Sequence, residues 1–327
     1  MLTRIAHIRY RTTRPIDLWI YIDQLYAVVL LHVLLFRIQD LPVELGRDIL
    51  EIAARAHHRN ALNLALVSKQ IYEWIRPVIY EMVTLGSSDA SLFIRTMDMS
   101  KFPANFFARH VKILCLTVST RPADAIRILR TCTGVMSLAC WVDFRGSFPQ
   151  VPFPDVLAQL PLRRLSIEIE QFKQLPVPHC YWRASLTHLN LIFWTRHESI
   201  EIPGLELFQS LTHLSISLQG PEVDESSLLR LLTTGRFLKI LCIVVDEHEY
   251  EHVGDTAAMD PRIVYMPRAS DGNVPDWEAP YRGRPDTWIY AEGIVAEQIS
   301  NYRSHSTFLF LFLHTTSVAN LHHIGTG

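Results

Sequence analysis

The sequence of 327 residues has only five cysteines, Cys115, Cys132, Cys140, Cys180 and Cys242, and no C-x-x-C pair among them. An odd set without that spacing excludes a complete disulfide framework and a cysteine zinc cluster. A reducing compartment, cytoplasm or nucleus, is therefore the expected location, and the absence of any N-x-[ST] sequon points the same way. Charge of one sign is lacking too: Lys and Arg number 31 against 33 Asp and Glu, a net charge of −2. No positive field is available to hold a nucleic-acid backbone, so nucleic acid is not an expected partner. Glycine (13) and proline (18) are sparse while apolar residues make up 49%, which excludes a collagen-like or largely disordered chain and leaves a folded globular one. There is no G-x-S-x-G elbow, no G-x-x-x-x-G-K-[ST] loop and no G-x-G-x-x-G turn. Nucleophilic catalysis and nucleotide binding thus have no written site, and no cofactor is expected.

The two ends form separate segments. Residues 1–36 are a basic and then apolar extension, with Arg4, Arg9, Arg11 and Arg14 ahead of the run Leu25–Phe36. That run falls short of the ~20 residues that cross a bilayer, and extending it back to Leu18 brings in Asp23 and Gln24. A docked helix is the expectation and a membrane is not an expected partner, a membrane-tethered interaction protein being the alternative. Residues 304–327 form an uncharged tail containing Phe308–Leu313, an aggregation-prone run in isolation.

Between the ends, residues 37–85 read as a short helical module. Pro42 suits the first turn of a helix, and Leu45, Ile49, Ile52, Ala53 and Ala56 fall on one helical stripe. Asn60 is placed to cap a second helix through Leu62 and Leu66, and Ser68 a third carrying Ile71, Trp74 and Ile75, ended by Pro77. Three helices in forty residues carry more apolar side chains than so small a core hides, which implies a partner. Leu41-Pro42-x-Glu44-Leu45, Ile49-Leu50, Leu64-x-Leu66-Val67-Ser68-Lys69, Trp74 and Tyr80 resemble, in order and spacing, the F-box; the histidine-containing connection Arg55–Asn60 departs from it.

Residues 86–268 carry a repeat. Six segments follow L-x-x-L-x-L or its apolar variants, with central residues Leu114, Leu138, Leu165, Leu189, Leu214 and Leu241 separated by 24, 27, 24, 25 and 27 residues. That spacing is typical of leucine-rich repeats. Helix-like stretches lie between them, as in Ala123–Arg130, Pro154–Leu160, Gly204–Ser210 and Glu225–Leu232, and Met82–Leu85 and Ile263–Tyr265 are candidate further strands. Residues 269–303, with Trp277 and Trp288, are expected to cap the end of the array. The expected fold is therefore α/β: an N-terminal three-helix F-box-like module followed by a leucine-rich-repeat-like solenoid.

Together the segments resemble fungal F-box proteins with degenerate leucine-rich repeats. The resemblance implies a non-enzymatic substrate-recognition subunit of an SCF-type ubiquitin ligase, with catalysis in partner subunits. Its F-box would bind the SCF adaptor, and through it a cullin scaffold, using Leu41, Pro42, Val43, Leu45, Ile49, Leu50, Leu62, Leu66, Val67 and Trp74. Its repeats would bind an unidentified protein substrate.

Alternation about the central leucines sends the neighbouring residues to one strand face. One row reads Ile113, Ser137, Arg164, His188, His213, Ile240; a second reads Thr117, Trp141, Glu168, Ile192, Ser217, Val244; a third contains Asp143, Glu170, Trp194 and Asp246. As an open face, Trp141, Asp143, Arg164, Glu168, Glu170, His188, Trp194, His213 and Asp246 are the candidate substrate contacts, with tryptophans beside carboxylates suited to a basic or mixed peptide. His248-Glu249-Tyr250-Glu251-His252 matches H-E-x-x-H, the pattern of a zinc-dependent hydrolase. It follows directly on the strand-like Ile243-Val244-Val245 and lacks a third ligand, so no metal site is expected, and the hydrolase stands only as the alternative reading.

Overall fold

A computed structural model describes residues 41–56, 58–99, 102–146, 152–194, 200–218, 225–251, 260–270 and 272–302. The extension 1–36, the tail 304–327 and His252 of the H-E-x-x-H match lie outside the described residues. Backbone contacts divide the chain into two compact units, one ending at Arg76 and the other beginning at Pro77.

In the first unit, helix α1 (Val43–Ala56) starts directly after Pro42 and carries Glu44 in its first turn and Arg55 in its last, the signs that the helix dipole favours. The residues it buries are Gly46, Leu50 and Ala54. This corrects the expected stripe: Leu45 and Ile52 are exposed, because the close packing of α1 and α2 uses a face of small residues around one leucine. Helix α2 (His58–Ala65) is already running at Asn60, which is therefore not its cap. Ser68 does cap α3 (Lys69–Ile79), its Oγ accepting from the Ile71 N–H at 3.2 Å. Pro77 does not end α3 but lies in its last turn, where the loss of one backbone donor is least disruptive.

In the second unit the leucine pattern becomes a sheet. Strands β1 (Met82–Leu85), β2 (Ile113–Leu116), β3 (Ser137–Cys140), β4 (Arg164–Glu168), β5 (His188–Ile192), β6 (His213–Ser217), β7 (Ile240–Val245) and β8 (Ile263–Pro267) are all parallel, and their spatial order is their chain order. No strand order reverses, so the sheet has no switch point of the doubly wound kind. The register follows the leucines: Leu114, Leu138, Leu165, Leu189, Leu214 and Leu241 are successive partners. All six are buried against the crossovers, which include the helices Ser87–Met99, Pro122–Thr131, Phe153–Ala158 and Glu225–Thr234 and the 3-10 turn Leu205–Leu207. Trp182 stacks on Phe208 with centroids 5.8 Å apart, and its indole N–H donates to the Leu157 carbonyl at 2.9 Å. At the turn into β3 the chains approach so closely that a Cβ on Gly134 would collide with the Ala108 carbonyl.

The opposite face of the sheet is covered. The segment 269–303, expected to cap the end of the array, instead lays its described residues 272–302 across the strands in order. Thr84 on β1 donates to Glu278 at 2.7 Å, Ser137 on β3 meets the Tyr281 hydroxyl at 2.6 Å, and Arg164 on β4 pairs with Asp286 at 3.0 Å. Further along, His213 on β6 meets Glu292 at 3.0 Å, and Ala291 and Val295 of the helix 287–302 pack with Ile240, Cys242, Val244 and Val264 of β7 and β8. The physical reason is in the strands: Trp141, Ile192, Ile240 and Val244 give this face an apolar surface that water would solvate poorly.

Candidate functional site

Two surfaces carry the residues singled out by sequence. On the helical unit, Val43, Leu45, Leu62, Leu66 and Val67 are exposed apolar side chains, with Leu66 at 86% and Val67 at 65%. Pro42 is exposed as well; Leu41, Ile49 and Trp74 are half-buried. Leu50 is an exception, since it is buried and so offers no surface to a docking partner. Ile52 and Tyr72, outside the expected set, add exposed apolar surface; their signal was a helical apolar pattern with too few interior places.

On the sheet, the strand face is not the open surface that alternation suggested. Trp141 is only 6% exposed, its indole N–H donating to Ser166 Oγ at 2.9 Å, and it clusters with Cys115, Ala139, Ile192 and Trp277 while Trp194 packs alongside. Arg164 is held between Asp286 and the rings of Trp277 and Tyr281, 5.7 and 5.6 Å from their centroids. Asp286 is 3% exposed and does two things: beyond the ion pair, its Oδ1 accepts from the Ile289 N–H at 3.1 Å and so caps the helix 287–302. Asp276, whose carboxyl is pushed up by burial, accepts from both the backbone N–H and the hydroxyl of Thr287 at 2.9 Å. A small cavity of about 50 Å³ remains beneath this segment, lined among others by Trp141, Arg164, His188 and Trp277.

His188 and His213 do come together on neighbouring strands, as stacked rings 4.2 Å apart, with Trp288 edge-on to both. Each Nδ1 meets the hydroxyl of the preceding threonine, Thr187 at 2.9 Å and Thr212 at 2.7 Å. Burial, with His213 and Arg164 adding to it, pushes the His188 imidazole from 6.5 down to about 3. Burial lowers His213 as well, against the opposing pull of Glu292. At neutral pH this is a neutral pair in both folded and unfolded chains. Below 6.5 the unfolded chain takes up a proton that folded His188 refuses, so the stabilisation is complete above 6.5 and is lost as pH falls toward about 3. Denaturant midpoints measured from about pH 7 down to 4 should therefore fall, and His188→Phe should flatten the decline. A profile unaltered by that substitution would remove the imidazole from the account. Among the described residues, no group of three or more His, Cys, Asp or Glu could hold a metal ion.

The acidic candidates behave differently from the tryptophans. Asp143 and Asp246 stay exposed and are engaged by Arg145 at 2.9 Å and Arg268 at 2.8 Å. Hydrogen bonds from Arg145 hold the Asp143 carboxyl below its usual range. Glu170 is exposed and paired with Lys173 at 2.9 Å. Glu168 is only 7% exposed, and burial pushes its carboxyl up, with Arg145 opposing. Asp143, Glu168 and Glu170 are brought together at the carboxyl ends of β3 and β4, whereas Asp246 lies beyond β7. His248 and Glu249 sit in a single turn, Glu247–Tyr250. All five thiols are buried and outside any disulfide, and burial raises each of them, Cys132, Cys140 and Cys242 to about 12 and Cys180 to about 11, which disfavours the thiolate form. No protein-family model, curated protein or solved structure is found to match the chain.

Proposed function

We propose that the chain is a non-enzymatic receptor of an SCF-type ubiquitin ligase, with an F-box-like module that docks the adaptor and a leucine-rich-repeat-like solenoid that presents a target protein. One observation carries the reading: the side chains expected to meet the adaptor include five large apolar ones that the module leaves exposed, Val43, Leu45, Leu62, Leu66 and Val67, of which Leu45, Leu66 and Val67 belong to the F-box-like pattern itself. Exposed apolar side chains grouped on so small a unit are the property of a docking surface. The sequential parallel sheet and its repeat spacing agree with the second half of the reading. The covered strand face moves the expected target contacts away from Trp141 and His213 and toward the rim of the sheet.

Leu45→Ala combined with Leu66→Ala separates docking from folding. Both side chains are exposed, so the double variant should keep its stability within about 0.5 kcal/mol. Its affinity for the purified SCF adaptor should fall by about thirtyfold, or roughly 2 kcal/mol. Calorimetric titration of the intact chain with adaptor reads this directly. No binding by the unaltered chain, or equal binding by the double variant, would sink the assignment.

A further inference from the structure

A cavity of about 220 Å³ opens where β3 and β4 end, lined by Phe144, Arg145, Phe153, Glu168, Glu170 and Gln171 among others. None of its lining residues belongs to the covering segment 272–302. Gln171 is 6% exposed. Its Nε2 donates to the Val142 carbonyl at 2.6 Å and to Glu168 Oε2 at 3.2 Å. Both partners are acceptors, which fixes the orientation of the amide and leaves Oε1 buried with no donor. A buried acceptor without a donor is destabilising, and an incoming donor would recover that loss. Glu168 stands beside it with further acceptor capacity, since a carboxylate has about four lone-pair sites. The neighbouring cation Arg145 is already held by both oxygens of Asp143, at 2.9 and 3.1 Å. Phe144 and Phe153 stack 4.4 Å apart and supply a flat apolar wall. Buried acceptors beside an aromatic wall match a planar, multiply donating cation, because a guanidinium both forks onto acceptors and stacks on rings.

We propose that this cavity takes an arginine side chain of a target polypeptide, the guanidinium donating to the Glu168 carboxylate and Gln171 Oε1 and lying against the Phe144–Phe153 pair. The site deepens the receptor reading by naming the chemistry of its target. The test titrates the full chain, without adaptor, with N-acetyl-arginine amide and with N-acetyl-citrulline amide, which has the same shape but no charge. Saturable one-to-one binding of the arginine amide is expected, at least tenfold weaker for citrulline. Glu168→Gln, which keeps an acceptor for Gln171, should weaken arginine binding at least tenfold, and Phe144→Leu, which leaves both acceptors in place, several-fold. No saturation, equal affinity for citrulline, or full affinity in a folded Glu168→Gln variant would overturn the site. Should Glu168→Gln fail to fold, undiminished binding by Phe144→Leu would overturn it instead. Adaptor binding by the same preparations separates the two readings: adaptor bound without arginine sinks the site alone, and arginine bound without adaptor sinks the ligase assignment alone.

Discussion

Trp141→Ala should destabilise the second unit by about 3–5 kcal/mol, as much as removing a central leucine such as Leu189. An open strand face would have made this substitution nearly neutral, because exposed positions usually change stability by less than about 0.5 kcal/mol. The difference comes from what stands over the strand. Trp141 packs with Cys115, Ala139, Ile192 and Trp277, and its indole N–H is matched to Ser166. Truncation removes one of the cluster's two buried tryptophans and leaves Ser166 with one partner fewer. Urea denaturation of the variant beside Leu189→Ala makes the comparison. A loss below about 0.5 kcal/mol would show that residues 272–302 do not cover this face in solution.

Asp286→Ala should cost a further few kcal/mol by another route, without emptying a core. Removing one partner of a buried ion pair leaves the other charge uncompensated, typically at about 3–5 kcal/mol. Here the partner is Arg164, held against Trp277 and Tyr281 and unable to swing into water without giving up both ring contacts. The same substitution removes the cap of the helix 287–302, worth about 1 kcal/mol. Asp286→Asn keeps a capping oxygen and should fall between the two. Hydrogen exchange gives the decisive readout: the helix 287–302 should exchange faster in Asp286→Ala, while the leucine side of the sheet, packed on its own crossovers, should retain more protection. Unchanged exchange with unchanged stability would mean that the ion pair does not latch the segment.

These two effects mark where the sequence could be read and where it could not. The register of the sheet was legible, since every central leucine must point to one side of its strand. A slip by one residue would have sent all of them to the other face. That is why Arg164, His188 and His213 are found as partners on adjacent strands, as their spacing requires. The surplus of apolar side chains in the helical unit was legible for a similar reason, being a matter of counting against the interior available. Which of them turn inward was not, because Gly46 and Ala54 gave no hydrophobic signal for the face that α1 buries. The cover on the strand face left a signal that alternation alone does not weigh: Trp141, Ile192, Ile240 and Val244 form rows too apolar for water. Its counterpart is equally visible, with Trp288, Ala291 and Val295 at helical spacing.

The sequence by itself determined the parallel strands, their partners and the helical unit with its excess apolar surface, because these follow from local periodicity and spacing. Only the tertiary structure decided that residues 272–302 lie over the strands, that Arg164 and Asp286 meet although 122 positions apart in the chain, and that Gln171 and Glu168 share a cavity. Alternation says which side chains share a face. What stands on that face depends on a segment distant in the chain, whose docking energy sums many contacts that no local pattern contains.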